Sequence, residues 1–520
     1  MTISEIDDIF LKKLQEVVGK DNATNDPILR FAHTRDQFVK TRGPDYVVIV
    51  TNKEEIAAVL KLAFEKKIPV IPKGTGANIS GAVIPEEGGI ILDLKKMDKL
   101  IIDKENMTAI VEPGVSMGQL QIEAWKNGLF IPEPSGPHSV RVISNLVQCR
   151  GISTYSAKFG VGDDHVLGYE WVLPNGEIIN MGCYANSAGE NSDNWQHIIG
   201  PDLSGAFLFA FGTLGVCVKA KIKLYPKMES FDAGSKDKYV AILGPLESCL
   251  NALKSLIKYG VYSNAFLTRW PYIAMIFGRK KKDSQTMMKN HAFGAMVTFV
   301  LEGTERRIIY YENRLKKIIK ENFKDLNVAV LDDIYGPMIK LTAPGPNSML
   351  EPIAKEPRRL IDFMFLSARA FRVHGGFGGN TPLLNLDDAY DIFKSTENAA
   401  KEYAPRPYEM ACYFQPIDDY HFALQEMDLY FDMFDEEEFK KSLAAHQIGS
   451  YYNILRRRDS LVFYIYFAHD FNEAVMPLLA PGYMRLLKNW KTLVDPNSIM
   501  NRKKGILSDK DYFTMEIDGD

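Results

Sequence analysis

The sequence predicts an α+β protein of two domains. Its 520 residues exceed the ~100–200 residues of one ordinary domain. Up to about residue 225, short strand-like runs alternate with short amphipathic helices, whereas beyond Pro226 long amphipathic segments alternate with strand-like pieces. We therefore place the domain boundary between residues 226 and 232.

The N-terminal part contains the elements of a βαβ unit. Residues 3–19 carry apolar side chains at helical spacing, which predicts a helix. The apolar run 46–50 has the length of a strand, the segment 53–65 is a helix with Asn52 as its N-cap, and residues 68–71 are a second strand. Two strands joined by a helix over this length are typical of one βαβ unit.

Shorter elements follow, and long helices come after the boundary. Residues 89–94 and 104–111 are predicted strands, and the segment 171–179 is a predicted β-hairpin because Asn175-Gly176 favours its turn. The long amphipathic segments are 246–259, 305–323 and 385–403, with strand-like pieces at 295–301 and 410–414.

The composition excludes several classes of protein. Hydrophobic residues make up 46% and charged residues 25%, which is the balance of a globular rather than a disordered chain. The formal net charge of -4 gives no basic field for nucleic acid, and no apolar run reaches the ~20 residues of a membrane helix. The acidic segment 1–8 lacks a secretory signal, which favours the cytoplasm; the periplasm is the alternative, because a processed signal leaves no trace.

The cysteines give no sign of a metal site. The five cysteines are far apart and form no CxxC pair, so we predict neither a zinc site nor an iron–sulfur cluster. Buried thiols in a reducing compartment are the simplest interpretation.

A glycine-rich loop is the strongest chemical motif. Residues 74–81 read Gly-Thr-Gly-Ala-Asn-Ile-Ser-Gly and follow a strand, as loops that cradle phosphates do. The loop matches neither the GxGxxG fingerprint nor the Walker pattern. An ordinary glycine-rich turn is the alternative.

Small residues recur at two later places. The segment 133–137 reads Glu-Pro-Ser-Gly-Pro and is followed by Asn145 and by Arg-Gly-Ile-Ser-Thr at 150–154. The segment 211–216 reads Phe-Gly-Thr-Leu-Gly-Val. Small side chains at these places would let a long cofactor lie against the backbone, although each segment alone is a weak signal.

Taken in order, these elements resemble the FAD-binding fold of the vanillyl-alcohol oxidase and p-cresol methylhydroxylase flavoprotein family. The matching segments include 47–50, 68–81, 88–97, 111–115, 132–137, 172–176, 200–205, 212–216, 374–382 and 495–506. The resemblance implies a PCMH-type FAD-binding domain at residues 1–230, completed by 475–520, and an α+β cap domain, which binds the substrate, at 231–474.

The resemblance also implies which residues bind FAD. They are Lys73, Gly74, Thr75, Gly76, Ala77, Asn78, Gly81, Pro134, Ser135, Asn145, Arg150, Gly151, Thr154, Gly215, Val216 and Lys504. Arg369 stands where the p-cresol branch has the tyrosine that bonds covalently to flavin, and the loop 74–81 has no histidine that could anchor it. We therefore expect non-covalent FAD, with an anchor elsewhere as the alternative.

Four residues are catalytic candidates by the same resemblance. Tyr451 would bind or deprotonate a hydroxyl, Glu409 or His421 would accept a proton, and Arg369 would face the flavin. The alternative is that each of them is an ordinary core or surface residue.

The function expected from the resemblance is that of an FAD-dependent oxidoreductase similar to 4-cresol dehydrogenase (hydroxylating). It would oxidise a small aromatic alcohol or alkylphenol-like substrate by hydride transfer to flavin N5 and pass electrons to a cytochrome c or an electron-transfer flavoprotein. A glycolate-oxidase-like 2-hydroxy-acid dehydrogenase and a non-catalytic FAD subunit of an electron-transfer complex are the alternatives. Family members are often dimers, which makes a homodimer the expected assembly.

Overall fold

The computed structural model describes most of the chain. The described residues are 8–36, 40–78, 81–132, 136–186, 194–198, 200–227, 235–260, 264–277, 281–289, 294–330, 371–419, 421–456, 462–463 and 480–504. Helices and sheets are mixed in both halves, which confirms the predicted α+β class. Among these residues, no helix combines the length and the apolar character needed to cross a membrane.

The N-terminal half contains five helices and eleven strands among its described residues. The helices are α1 (Asp8–Val18), α2 (Pro27–Phe31), α3 (Lys53–Lys66), α4 (Met117–Lys126) and α5 (Ser156–Phe159). The strands are β1 (Ala23–Thr24), β2 (Tyr46–Ile49), β3 (Val70–Lys73), β4 (Ile90–Asp93), β5 (Leu100–Asp103), β6 (Thr108–Val111), β7 (Leu129–Phe130), β8 (Val166–Val172), β9 (Ile178–Gly182), β10 (Val216–Lys223) and β11 (Tyr225–Pro226).

The second half of the chain contains eight helices and nine strands among its described residues. The helices are α6 (Leu246–Lys258), α7 (Trp270–Phe277), α8 (Lys281–Lys289), α9 (Glu305–Asn322), α10 (Phe371–His374), α11 (Ala389–Tyr403), α12 (Glu436–Arg456) and α13 (Pro481–Val494). The strands are β12 (Ser235–Gly244), β13 (Asn264–Arg269), β14 (Ala295–Thr304), β15 (Asn327–Val330), β16 (Gly375–Asn380), β17 (Pro382–Leu384), β18 (Ala411–Ile417), β19 (Phe422–Asp432) and β20 (Val462–Phe463).

The first sheet confirms the predicted βαβ unit. Its strand order is β1-β2-β4-β3, and β4 runs parallel to both β2 and β3. All four residues of β4 are buried, as expected for the central strand of a parallel sheet that is covered on both faces. The loop that follows β3 therefore leaves the sheet at the carboxyl end of its parallel strands, where ligands bind in open α/β sheets.

The second sheet is antiparallel, with the order β5-β6-β10-β8-β9. The predicted hairpin is confirmed as β8–β9, with Gly176 at a φ of 86° in the turn. The predicted strand 104–111 is confirmed only for its second half, β6, whereas residues 104–107 form the turn between β5 and β6. The side chain of Asp103 accepts the backbone N–H of Asn106 at 3.0 Å and so stabilises that turn.

The third sheet has nine strands and lies in the second half of the chain. Its order is β15-β12-β14-β13-β18-β19-β17-β20, and β16 also pairs with β19. One face packs on α6, α9 and α11 through a large apolar core. The other face shares a second core with Ile152 and Tyr155 of the first half, so it is the face that packs towards the first half.

Buried hydrogen bonds join the two halves. Asn264 Nδ2 donates to Thr154 Oγ1 at 3.1 Å, and Gln415 Nε2 donates to the carbonyl oxygen of Thr154 at 3.4 Å. Thr154, Asn264 and Gln415 are each fully buried. These bonds fix how the third sheet sits over the first half, because leaving such groups unpaired costs about 1–3 kcal/mol each.

Candidate active site

A cleft runs between the two halves of the chain. It holds about 1700 Å³ of empty space, including its open mouth. The first half lines it with the loop 74–78, with part of a π-helical segment, Ile143–Gln148, and with residues of the segment 211–217. The second half contributes residues of α7, β16, β18 and β19. The glycine loop and the later small-residue segments, which are far apart in sequence, therefore meet in one place.

The glycine loop forms one wall and begins directly after β3. Gly76 has a φ of 77°, a conformation that glycine adopts without steric cost. Thr75 Oγ1 donates to the carbonyl oxygen of Ser139 at 2.6 Å, and Asn78 Oδ1 accepts the N–H of Ala82 at 3.2 Å. These bonds hold the loop against Ser139 on the opposite wall and against Ala82, where the chain leaves the loop. All five residues from Gly74 to Asn78 line the cleft.

Two other residues assigned to FAD by resemblance support this loop from outside the cleft lining. Lys73 Nζ lies 3.0 Å from His33 Nδ1, and the N–H of Gly81 donates to the Asp36 carboxylate at 2.7 Å. Burial lowers the pKa of Lys73, and burial together with the Lys73 charge lowers the pKa of His33 to about 4. His33 is therefore neutral at pH 7 and can accept the hydrogen bond from Lys73.

The facing wall carries an arginine that the sequence analysis did not single out. Arg141 Cγ lies 2.8 Å from where a Cβ on Gly74 would stand, so a larger residue at Gly74 would collide with it. Arg141 Nε is buried and has no hydrogen-bond partner among the described residues, and burial lowers the pKa of the guanidinium. An anion beside the glycine loop would satisfy this donor and its charge. In the sequence, the position of Arg141 between the segment 133–137 and Asn145 could have indicated that it belongs to the site.

The π-helical segment completes this wall. Ser144, Asn145 and Gln148 of this segment line the cleft. Gln148 Oε1 accepts the N–H of Gly212 at 2.9 Å, which ties the segment to 211–217. Helical turns of this kind are rare and occur frequently at functional sites.

Gly215 brings the backbone of the first half to the edge of the cleft. Its φ is 125°, and a Cβ at this position would lie 2.3 Å from the carbonyl oxygen of Val172 and 2.6 Å from Nε1 of Trp171. That indole N–H donates to the carbonyl oxygen of Leu214 at 3.1 Å. Gly215 and Val216 both line the cleft.

Arg150 and Gly151, also assigned to FAD by resemblance, do not line the cleft. Arg150 Nε donates to the Asp163 carboxylate at 2.7 Å, and its guanidinium lies 5.1 Å from the centre of the Phe209 ring. The N–H of Gly151 donates to the carbonyl oxygen of Asn145 at 2.9 Å. These contacts hold the end of the π-helical segment in place.

Of the last four residues assigned to FAD, two lie outside the cleft lining and two lie outside the described residues. Thr154 lies in the contact between the two halves, as described above. Lys504 is buried and donates to the Glu86 carboxylate at 2.7 Å, outside the cleft lining. Pro134 and Ser135 lie outside the described residues. Direct contact of any assigned residue with FAD stays a prediction.

The wall that comes from the second half is mostly aromatic and apolar, with two acidic side chains. It consists of Tyr272, Met275, Phe377, Thr381, Tyr413, Leu424, Glu426 and Asp428. Tyr272 stacks on Tyr413 with ring centres 5.8 Å apart. No lysine, arginine or histidine lines the cleft from the described part of this half.

The catalytic candidates are not brought together in this cleft. Tyr451 lies on α12 with 53% of its surface exposed, and His421 is exposed at the end of a turn, where Nδ1 donates to the carbonyl oxygen of Asp418. Glu409 is buried and pairs with His374 Nε2 at 2.8 Å, just before β16. Arg369 lies outside the described residues. Their catalytic roles stay predictions, to which the positions of Tyr451, Glu409 and His421 lend no support.

Comparison with known proteins identifies the class of the N-terminal half. Residues 44–182 match a family model described as an FAD binding domain. Over 221 residues the chain is 32% identical to glycolate oxidase subunit GlcD of Bacillus subtilis, and over 219 residues 34% identical to a D-lactate dehydrogenase of Archaeoglobus fulgidus. These matches cover 42% of this chain and 45% and 46% of the two relatives, so the chain matches less than half of their length.

Solved structures match over nearly the whole chain. p-Cresol methylhydroxylase with bound substrate gives a TM-score of 0.78 at 19% identity, and 4-ethylphenol oxidase from Gulosibacter chungangensis gives 0.79 at 18%. Each match covers 97% of this chain and 98% of the other. The protein thus has an FAD-binding domain and the fold of the PCMH-type FAD-linked oxidases, which confirms the resemblance read from the sequence.

The cleft fits FAD, the cofactor of this domain. The glycine loop, where a Cβ at Gly74 would lie 2.8 Å from Arg141 Cγ, faces an Arg141 Nε–H that has no partner among the described residues and that a pyrophosphate could satisfy. Beyond this polar region, the cleft is lined by apolar side chains that suit a flavin ring and a small substrate.

Proposed function

We propose that the protein is an FAD-dependent oxidoreductase that oxidises the hydroxyl-bearing or benzylic carbon of a small, uncharged aromatic substrate. The observation that carries this proposal is the substrate-side wall, with its stacked Tyr272 and Tyr413, its apolar neighbours and its two carboxyl groups. Such a wall favours an uncharged ring. It repels an anion, because Glu426 and Asp428 offer only acidic groups.

FAD would supply the hydride acceptor. The residues of the first half would bind and orient it: the loop 74–78 and Arg141 at the pyrophosphate, and the backbone around Gly215 along its length. The aromatic wall would hold the substrate ring and exclude water from the reacting carbon.

Oxidation of a 2-hydroxy acid is the second candidate function. It is favoured by the relatives of the N-terminal half, which include a glycolate oxidase subunit and D-lactate dehydrogenases. A hydroxy acid needs a cation to bind its carboxylate, and Arg141 is the cation that lines the cleft among the described residues. Because Arg141 faces the glycine loop, we assign it to the cofactor rather than to the substrate.

A matched pair of substrates tests the choice. 4-Hydroxybenzyl alcohol and 4-hydroxymandelate share the ring and the alcohol, and they differ by one carboxylate. We expect anaerobic bleaching of the flavin absorbance by the alcohol to be at least ~100-fold faster than by the mandelate, with D-lactate inactive. Faster bleaching by mandelate or lactate would establish the hydroxy-acid function instead, and bleaching by none of the three would favour a non-catalytic subunit.

FAD is expected to be bound without a covalent link. The described residues that line the cleft include no histidine, and Arg369 stands in place of the family's anchoring tyrosine. Acid precipitation of the purified yellow protein should therefore release all flavin to the supernatant, at about one FAD per chain. Flavin that remains in the washed pellet after proteolysis, attached to a peptide, would identify an anchor.

From the resemblance we also propose that the electrons pass to a protein acceptor, such as a cytochrome c or an electron-transfer flavoprotein. We further propose that the protein assembles as a homodimer. Reoxidation of the reduced flavin by each acceptor, compared with reoxidation by oxygen, tests the first. Sedimentation of the holoenzyme tests the second.

A further inference from the structure

Two acidic side chains stand next to each other on the cleft face of β19. Along this strand, Leu424, Glu426, Asp428 and Tyr430 point to the cleft side, whereas Ala423, Met427 and Leu429 join the core against the helices. This alternation follows from the two-residue period of a strand. It places Glu426 and Asp428 on the same wall as the stacked tyrosines.

The two carboxyl groups lie within hydrogen-bonding reach of each other. Asp428 is fully buried, and Tyr430 donates its hydroxyl to Asp428 Oδ2 at 3.4 Å. Asp428 Oδ1 has no hydrogen-bond partner among the described residues. Glu426 is only partly covered, and it lies opposite Tyr413 on the neighbouring strand β18. The Asp428 carboxyl group is thus enclosed, while the Glu426 carboxyl group keeps access to the cleft.

The described residues around this pair supply no positive charge. The titratable side chains on this face of the sheet include Tyr430 on β19, Tyr413 on β18 and, packed against them, Tyr272 on α7. Cys412 and Arg269 lie on the opposite face of the sheet, where Arg269 stacks over Phe393. The Tyr413 hydroxyl donates to Gln415 Oε1 at 2.6 Å and is not directed at the pair by that bond.

Two adjacent carboxyl groups without a cation cannot both ionise. Burial raises the pKa of Glu426 to about 7, and burial together with the nearby Glu426 charge raises the pKa of Asp428 well above its usual range. Because Asp428 is the more enclosed of the two, it keeps the shared proton at neutral pH, and Glu426 carries the single negative charge.

We propose that Glu426 is the base that accepts the substrate's hydroxyl proton, and that Asp428 is a positioning residue that holds the proton shared by the pair. This inference rests on the proposed function. In an alcohol oxidation, the C–H hydrogen leaves with its electron pair to FAD, the O–H proton passes to Glu426, and a C=O group remains. The single negative charge on the pair also makes this wall select against substrates that carry a carboxylate.

Infrared spectroscopy tests the shared proton without any substrate. At pH 8 the holoenzyme should show the C=O stretch of a buried protonated carboxyl group, and Asp428→Asn should remove it, because Glu426 alone faces the open cleft and ionises. Glu426→Gln should keep the band, since Asp428 stays enclosed. Glu437→Gln makes the same chemical change on exposed α12 and serves as the control. A wild-type spectrum whose carboxyl bands are unchanged in Asp428→Asn overturns the shared proton.

Single-turnover flavin bleaching by 4-hydroxybenzyl alcohol tests the base. The wild-type rate should rise with pH through about 7, as Glu426 loses its proton. Glu426→Gln should lower the rate ~10²–10⁴-fold and remove this inflection, at unchanged flavin content. Asp428→Asn should move the inflection to higher pH, because the Glu426 carboxylate loses the stabilising hydrogen bond from the protonated Asp428 carboxyl group. A Glu426→Gln rate within a few-fold of wild type, or an inflection that persists, overturns the assignment.

The two experiments separate the failure of this inference from the failure of the proposed function. If no probe reduces the flavin, the function is wrong and the infrared result alone decides whether the carboxyl groups share a proton. If the alcohol bleaches the flavin equally fast in Glu426→Gln, the function stands and Glu426 is not the base.

Discussion

Replacing Gly215 by alanine is expected to remove FAD binding and to destabilise the first half of the chain severely. The new Cβ would lie 2.3 Å from the carbonyl oxygen of Val172 and 2.6 Å from Trp171 Nε1, and neither can move without disturbing the β8–β10 pairing. A φ of 125° adds backbone strain for any residue with a side chain. Together these effects amount to about 2–6 kcal/mol of unfolding free energy.

The measurement is urea unfolding together with flavin content per chain. Gly205→Ala is the matched control, because an added Cβ there has no heavy atom within 4 Å and the residue is exposed. We expect wild-type flavin content for Gly205→Ala and none for Gly215→Ala. A Gly215→Ala protein that folds with full flavin occupancy would contradict the tight contact of Gly215 with the carbonyl oxygen of Val172 and the indole of Trp171.

Replacing Lys491 by methionine should cost about 3–5 kcal/mol of unfolding free energy, the range for breaking a buried ion pair. Lys491 Nζ donates to the Asp495 carboxylate at 2.6 Å and to the carbonyl oxygens of Thr213 and Met500 at 2.7 and 3.2 Å. Without the lysine, the fully buried Asp495 charge loses its counter-ion.

The effect should reach the cofactor through the C-terminal segment. The carbonyl oxygen of Ile499 accepts the N–H of Val70, and the N–H of Asn501 donates to the carbonyl oxygen of Val70, so this segment adds to β3 just before the glycine loop. We therefore expect weaker FAD retention in Lys491→Met, measured by flavin loss on dialysis in dilute urea.

Two further variants sharpen this result. Lys488→Met makes the same change on the exposed side of α13 and should alter the unfolding free energy by less than about 0.5 kcal/mol. Adding Asp495→Asn to Lys491→Met removes the stranded charge and should recover part of the loss. If Lys491→Met and Lys488→Met unfold at the same urea concentration, the buried pair does not stabilise this segment.

Part of the site could be predicted from the sequence because its chemistry is local. A glycine loop after a strand, a later asparagine and a Gly-Val pair are signals that a few consecutive residues carry. Accordingly, the loop 74–78, Asn145, Gly215 and Val216 all line the cleft. Arg141 carried a weaker signal, because a single arginine in a loop has many ordinary explanations.

The substrate side could not be predicted in this way. In β19 the residues Glu-Met-Asp-Leu at 426–429 alternate between polar and apolar, a pattern that is typical of a strand with one solvent-exposed face. Most residues of both faces are nevertheless buried, so the pattern alone does not mark a cleft face. The pairing of β19 with β18 and β16 decides that Glu426 and Asp428 face the cleft. Tyr451, which the resemblance favoured, lies on an exposed helix instead.

The sequence by itself determined the α+β class, the βαβ unit, the FAD-binding motifs and their order, because each depends on residues close together along the chain. Only the tertiary structure decided which assigned residues line the cleft and which support it: Lys73, Arg150 and Thr154 turned out to hold other parts of the protein in place. It also decided the composition of the substrate wall. The physical reason is that this wall is built by strand register and by the docking of one half on the other. The register depends on pairing with separate strands, and the docking depends on contacts such as those of Thr154 with Asn264 and Gln415, which are 110 and 261 positions away.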